Sequence, residues 1–255
     1  MKIGFCAKPD MIGAVAAAGF DYIELPVNYV AALSDGEFSE CLRAVKAAPI
    51  PAPAFNLLFP KTIQLLAPGT ADAEIADYLH NAFERMRLLG GSVAVFGSGK
   101  SRNRPENMDY GAAFRRLVQV TRLTGEIAEK YGVTVVIEPL NRSECNMINS
   151  LAEGACLAAA VDHPRVRLLA DYYHIAVEGQ PPEDIERLCG IAHAHIATQA
   201  GRRVPLQDDP GYHTMFAAMK RTGYAGLISV EGKSDDLATD GPAAVKLLKS
   251  VWEEA

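Results

Sequence analysis

The chain has 255 residues, 49% apolar and 22% charged, an ordinary balance for a globular protein and a length that suits one α/β barrel. Its net charge of −6 argues against a general nucleic-acid or membrane-surface binder, because phosphate contacts need a basic stripe. The longest apolar runs, such as AVAAA at 14–18, fall far short of the ~20 residues of a membrane span.

In chain order, strands are expected at 2–7, 22–25, 51–56, 92–97, 133–138, 166–171, 192–197 and 227–231. Helical periodicity falls between and after them, at about 10–18, 37–48, 72–89, 109–131, 151–162, 183–190, 212–222 and 240–253. Eight strands alternating with helices predict a closed parallel (β/α)8 barrel, a single domain over 1–255. Gly19, Gly90, Gly132 and Gly223 each follow a helical pattern, where a left-handed cap is wanted, and Asp72 and Asp109 stand at N-cap positions. The stretch 57–71 reads as a long irregular loop over the barrel mouth.

No targeting segment is read ahead of IGFC at 3–6. The five cysteines, Cys6, Cys41, Cys145, Cys156 and Cys189, contain no CxxC pair, so free thiols and a cytoplasmic location are expected.

The run VTVVIE at 133–138 raises a specific question, since a strand of β-branched residues buried on both faces ends on a charge. In an α/β barrel the C-terminal strand ends form the active-site face. Reading the ends of the later strands collects Glu138, Asp171, His195 and Glu231. Strand alternation points His193 and His195 inward with Ser229 and Glu231, and places Ala192, Ala194 and Ile196 outward. Three carboxylates converging on one mouth repel one another unless a cation sits among them. Oxygen-rich ligation with one imidazole suits a single divalent ion, Mn²⁺, Mg²⁺ or Co²⁺ rather than Zn²⁺. Glu24 at the end of strand two is a further candidate ligand, and His193, a layer below His195, a supporting residue. Asn141 and Arg142 are expected to support Glu138. The cation-rich GSGKSRNRP at 97–105 lacks the spacing of a nucleotide loop, and reads either as a phosphate seat or as a solvated loop. Phe55, Phe59 and Phe96 read as either pocket wall or core, and Cys6 lies at the mouth with no chemistry assigned.

IEPLNR with Glu144, LLADYYH, HAHIA followed by GRRVP, and GYAGLISVE together resemble the motifs of the xylose isomerase-like barrels, in particular the branch of ketose 3-epimerases and hydroxypyruvate isomerases. The resemblance implies that Glu138, Asp171, His195 and Glu231 hold one metal ion, and that Glu144, His174 and Arg202 contact substrate. It further implies that Glu138 and Glu231 exchange a carbon-bound proton through a metal-stabilised cis-enediolate, and that the protein is a homodimer or homotetramer. The segment PLQDDPG at 205–211 departs from the PGxG that many relatives carry there. Substrate would be a small ketose or hydroxyketone. Hydroxypyruvate isomerisation and sugar-acid or inosose dehydration are alternatives on the same scaffold. A non-catalytic sugar sensor conflicts with the complete set of four residues. An apurinic endonuclease conflicts with the acidic charge and with only six histidines.

Overall fold

The structure is a computed structural model that describes residues 1–188 and 190–255. Eight parallel strands close into a barrel in sequence order. They are β1 (Lys2–Cys6), β2 (Tyr22–Pro26), β3 (Ala54–Asn56), β4 (Val93–Phe96), β5 (Thr134–Ile137), β6 (Val166–Asp171), β7 (Ile191–Ile196) and β8 (Leu227–Val230). The α-helices are α1 (Ile12–Ala17), α2 (Val27–Ala32), α3 (Asp35–Ala47), α4 (Asp72–Leu89), α5 (Gly99–Arg102), α6 (Tyr110–Lys130), α7 (Leu151–Val161), α8 (Tyr172–Val177), α9 (Pro210–Arg221) and α10 (Leu237–Glu254).

Local chemistry accounts for most boundaries. In α6, buried Ala113, Leu117, Val120, Thr124 and Ile127 recur at helical spacing, and the Asp109 side chain caps the helix by accepting from Ala112 N–H at 2.9 Å. Gly19, Gly90, Gly132 and Gly223 all take positive φ, between 71° and 90°, as caps require. Asp72, by contrast, is the first helical residue rather than the cap, and its carboxylate takes an ion pair from Arg116 at 2.6 Å. β3 begins only at Ala54, because prolines at 51 and 53 have no N–H to give the ladder, although their carbonyls still accept from Ile23 and Ser92. The periodicity at 183–190 becomes a short 3₁₀ helix over Pro182–Arg187, and the end of that range at Cys189 lies outside the described residues. The other four cysteines are free thiols.

Two apolar layers separate cleanly. Outward-facing strand residues such as Ile23, Val135, Leu168, Ala194 and Ile228 pack beneath the helices. Inside the barrel a small cluster of Val95, Val136 and Leu169, with Val93 and Ala192 against it, plugs the lower half. The inward turn of Ala192 differs from the simple alternation expected of β7. The register between β6 and β7 slips at Leu168/Leu169, so Leu169 pairs with His193, and Ala192 is left over as the bulged residue.

Tyr22, at the start of β2, is buried against β1. A Cβ placed on Gly4 would lie 2.1 Å from the Tyr22 ring, so β1 needs glycine there to admit the ring. Gly4→Ala is expected to destabilise the barrel by about 1–3 kcal/mol through overpacking. Urea unfolding monitored by circular dichroism measures this, and an unchanged midpoint would show that Tyr22 moves aside freely.

Candidate active site at the barrel mouth

The upper interior of the barrel is polar and almost dry. Glu24, His193, His195 and Ser229 are fully buried, and Asp171 and Glu138 are 2% and 5% exposed. β5 and β8 each carry their ladder one bond past the strand: Glu138 N–H donates to Phe96 and Glu231 N–H to Ile196. Both carboxylates therefore leave the sheet at the mouth with their backbones still held.

Glu138, Asp171, His195 and Glu231 converge, with one ligand-type atom from each lying within 4.8 Å of the others. His195 Nδ1 stands 3.1 Å from Glu231 Oε2 and 3.4 Å from Glu138 Oε1. Yet Nδ1 and Glu138 Oε1 make no well-formed hydrogen bond, and both are buried. Buried polar atoms are normally partnered, so a cluster of orphaned ones is a site shaped for something else. Ligand atoms about 2.0–2.6 Å from a hard cation stand at most about 5 Å apart, which matches this spread. The residues present fit a divalent ion.

His195, His174 and Arg202 offset these negative charges in part. Burial pushes the Glu138 and Glu231 carboxyls up, but His195 outweighs it for both, with His174 adding to the effect at Glu138 and Arg202 at Glu231; Glu231 falls to about 2. Burial raises Asp171, and neighbouring His174 and Arg202 offset this only in part. Burial lowers His195, but Glu24 and Glu231 overcome it and hold the imidazole well above its ordinary value.

Glu24 differs from the expectation of a direct ligand. It lies behind His195, whose Nε2–H donates to Oε1 at 2.9 Å, while His193 Nε2–H donates to Oε2 at 2.7 Å. Ser229 Oγ–H donates to Oε2 at 2.5 Å, which leaves Tyr22 O–H to donate to Ser229 at 2.7 Å. With Nε2–H committed to Glu24, Nδ1 of His195 faces the mouth, the arrangement that orients a metal-binding imidazole. Cys6 lies beside Glu24 and His195, and burial with the Glu24 charge pushes its thiol well up.

His174, at the start of α8, is 2% exposed. Its Nδ1 accepts from the backbone N–H of Asn141 at 3.0 Å, so Nε2 carries the proton. That Nε2–H lies 3.6 and 3.8 Å from oxygens of Asp171 and Glu138, and has no hydrogen-bond partner among the described residues. Asn141 thus supports His174 rather than Glu138, and Arg142 pairs with Glu178 instead.

Arg202 takes φ +49° in the loop after β7. That loop is stitched to the end of β8: Lys233 N–H donates to Arg202 O, and Val204 N–H to Lys233 O. Gly232 permits the approach, since a Cβ there would be 2.5 Å from the Arg203 backbone. One fork of the guanidinium donates to Glu231 Oε2 at 2.6 Å and the other to Glu144 at 3.3 Å, and its face covers Tyr173. Glu144 accordingly holds Arg202. Asn56, which the strand-end reading passed over, donates Nδ2–H to Glu231 Oε1 at 2.9 Å. It stands at the end of β3 as the four acidic and imidazole residues stand near theirs, so the same rule extended to amides would have found it.

Two cavities of about 620 and 480 Å³ open at the mouth, sharing Asn28, Leu57 and Lys61. Asn56, which bonds Glu231, borders the first, and Glu144, which bonds Arg202, borders the second. The irregular stretch after β3 supplies their common wall, with Leu57 at φ +52° and 44% exposed. Phe59 lines the smaller cavity, whereas Phe55 and Phe96 belong to the core under the helices. A cavity of about 650 Å³ at the opposite end of the barrel has no such cluster among the described residues.

Closed parallel barrel, polar mouth and clustered carboxylates with imidazoles define an α/β-barrel protein with its site on the C-terminal face. The chain belongs to the xylose isomerase-like TIM barrel family, whose model matches residues 12–251. It is 26% identical over 227 residues to the D-psicose 3-epimerase of Agrobacterium fabrum, covering 86% of this chain and 77% of that protein. It is 25% identical over 235 residues to a putative hydroxypyruvate isomerase of Drosophila melanogaster, covering 88% of this chain and 84% of that one. Among solved structures, the D-psicose 3-epimerase of Clostridium cellulolyticum H10 with D-tagatose superposes with a TM-score of 0.87 at 20% identity, covering 99% of both chains. That last likeness speaks to the fold.

Proposed function

We propose that the protein is a divalent-metal-dependent sugar isomerase or epimerase that moves a carbon-bound proton of a small ketose or hydroxyketone. In class it is an isomerase or epimerase, the kind of enzyme its relatives are over most of the chain. The observation that carries the metal-dependent reading is the convergence of Glu138, Asp171, His195 and Glu231, with the buried orphaned atoms Glu138 Oε1 and His195 Nδ1 facing each other.

Those four residues would hold the ion, and Mn²⁺, Mg²⁺ or Co²⁺ suits their oxygen-rich set. Bound there, a divalent ion supplies positive charge for the oxygens of an α-hydroxyketone as an enediolate develops. Glu138 and Glu231 are carboxylates at neutral pH, as a proton acceptor must be; one takes the carbon-bound proton and passes it to solvent, and the other, after taking up a proton from solvent, delivers that proton to carbon. His174 presents Nε2–H to a substrate oxygen, and its backbone partner keeps that tautomer. Arg202, gripped by Glu144, orients a hydroxyl or carboxylate with its planar fork. Return of the proton to the opposite face of the same carbon is epimerisation, and return to the neighbouring carbon is isomerisation. The relatives matched over more than three quarters of their length include both kinds, and hydroxypyruvate isomerisation is the second reading, favoured by the match to the Drosophila protein. We read the enzyme as cytoplasmic and as a homodimer or homotetramer; no helix among the described residues is long and apolar enough to cross a membrane.

The test is solvent-deuterium incorporation into ketoses and hydroxypyruvate by protein reconstituted with Mn²⁺, followed by proton NMR. Exchange that requires the metal and disappears with chelator is expected. Metal bound without exchange across the whole panel contradicts catalysis and favours a sensor. Metal uptake carries a pH signature too. The raised imidazole must give up the proton on Nδ1 to bind an ion, so Mn²⁺ affinity is expected to climb by about tenfold per pH unit on the acid side of that titration. Calorimetric titrations in buffers of different ionisation heat measure the proton released.

A further inference from the structure

The cation-rich segment at 97–105 has a different use from seating a phosphate. Arg104 spends its side chain on the Met108 carbonyl, and only Lys100 faces the mouth cavity. Arg102 is fully buried, without a salt bridge among the described residues. A buried guanidinium is costly unless its environment uses the charge and the fork. Here Nη1 donates to Phe96 O at 2.7 Å and Nη2 to Glu138 O at 2.6 Å. Phe96 O also accepts from Glu138 N–H at 3.3 Å. The backbone of Glu138 is therefore bracketed on its N–H side by β4 and on its carbonyl side by Arg102.

The rest of the segment delivers Arg102 to that position and clears space for the carboxylate. A Cβ on Gly97 would lie 1.9 Å from Glu138 Oε2 and 3.1 Å from its Cδ. Gly97 has no positive φ, so glycine is needed there for room rather than for backbone freedom. Ser98 does adopt the left-handed conformation, at φ 42°, and its Oγ accepts from Phe59 N–H at 2.9 Å. Ser98 O then accepts from Arg102 N–H, closing the single turn of α5 that swings Arg102 back under the strand ends.

We propose that Gly97 and Arg102 are positioning residues for Glu138, fixing from β4 where that carboxylate stands in the site. The proposal rests on the role given to Glu138 above. It is tested by a double-mutant cycle on the full chain, with Mn²⁺ affinity read by calorimetry and folding by circular dichroism. Arg102→Gln is expected to weaken Mn²⁺ binding by about 10–100-fold while the spectrum is unchanged, the range seen when a supporting partner of a ligand is lost. In a Glu138→Gln background the same change should cost less than about twofold, because both act through one group. Equal losses in the two backgrounds overturn the proposal, since general structural damage would add. Gly97→Ala gives a second cycle that leaves the buried cation in place, and it is expected to show the same non-additivity. Arg102→Lys keeps a charge but lacks the fork, so it should fold and still bind Mn²⁺ more weakly than the wild type. If Glu138→Gln alone leaves Mn²⁺ affinity intact, the reading of the mouth as a metal site falls and takes the proposal with it. If Glu138→Gln weakens binding and the cycles are additive, only the positioning role falls.

Discussion

Glu138→Gln is expected to lower metal-dependent α-proton exchange by about 10²–10⁴-fold, the usual contribution of a positioned general acid or base. The amide keeps the shape of the carboxylate and leaves its backbone bonds to Phe96 and Arg102 untouched. It cannot accept a proton from carbon. Glu138→Asp separates the two functions of the residue, because it retains a charge for the ion but withdraws it by one methylene. Partial recovery of Mn²⁺ affinity without recovery of exchange is the expected pattern. Single-turnover exchange measured by NMR checks both variants, and a Glu138→Gln protein that keeps more than a tenth of wild-type exchange assigns proton transfer to another residue. Glu231→Gln should be equally damaging if the proton is taken by one carboxylate and returned by the other.

The second large effect concerns stability. Glu24 accepts from His193, His195 and Ser229 at full burial, so Glu24→Ala strands three donors, one of them an imidazole held in its charged form. Breaking a buried pair from one side costs about 3–5 kcal/mol, and that loss is expected for metal-free protein in urea titration. A loss under about 1 kcal/mol would mean that water enters and satisfies the donors instead. The pH dependence follows from two opposite shifts. Burial raises Glu24, but His195 and His193 more than reverse it, so its carboxyl ends well below the usual range; its contribution is present above the unfolded value near 4.5 and lost as pH falls through the depressed one. His195 is raised, so its contribution is complete below 6.5 and lost as pH climbs through the raised value. Metal-free protein should therefore melt highest between those limits and lose stability on both sides, with the acid and alkaline losses both reduced in Glu24→Ala. Melting temperatures across pH in the presence of a chelator provide the measurement.

Both predictions concern the same chain of contacts, which runs Tyr22, Ser229, Glu24, His195 and then the four-residue cluster. Its lower part is structural and its upper part is where we place the chemistry, with His195 belonging to both. A buried polar network of this kind is costly when incomplete and specific when complete. That is a physical reason for a barrel interior to carry charge directly above its Val95, Val136 and Leu169 plug.

Much of this was legible in the sequence alone. Alternating strand and helix periods, glycines after helices and the Asp109 cap are local signals, and they were sufficient for the closed eightfold barrel. Glu138, Asp171, His195 and Glu231 could be collected because a parallel barrel turns the ends of its strands to one face, so position along each strand already implies convergence. Glu144, His174 and Arg202 also come together at that mouth. Tertiary structure alone decided which polar groups face which. Glu24 meets His193 and His195 across 169 and 171 residues of chain and across the barrel, where no local pattern connects them. The slip between β6 and β7 turned Ala192 inward, against the alternation of its own strand. Asn141 went to His174 and Arg142 to Glu178 because α8 brings those partners within reach. Arg102, in a segment that reads either as a phosphate seat or as a solvated loop, was drawn under two strand ends by the left-handed turn at Ser98. Strand-end position is a property of one element, whereas a hydrogen-bond partner depends on how all eight close.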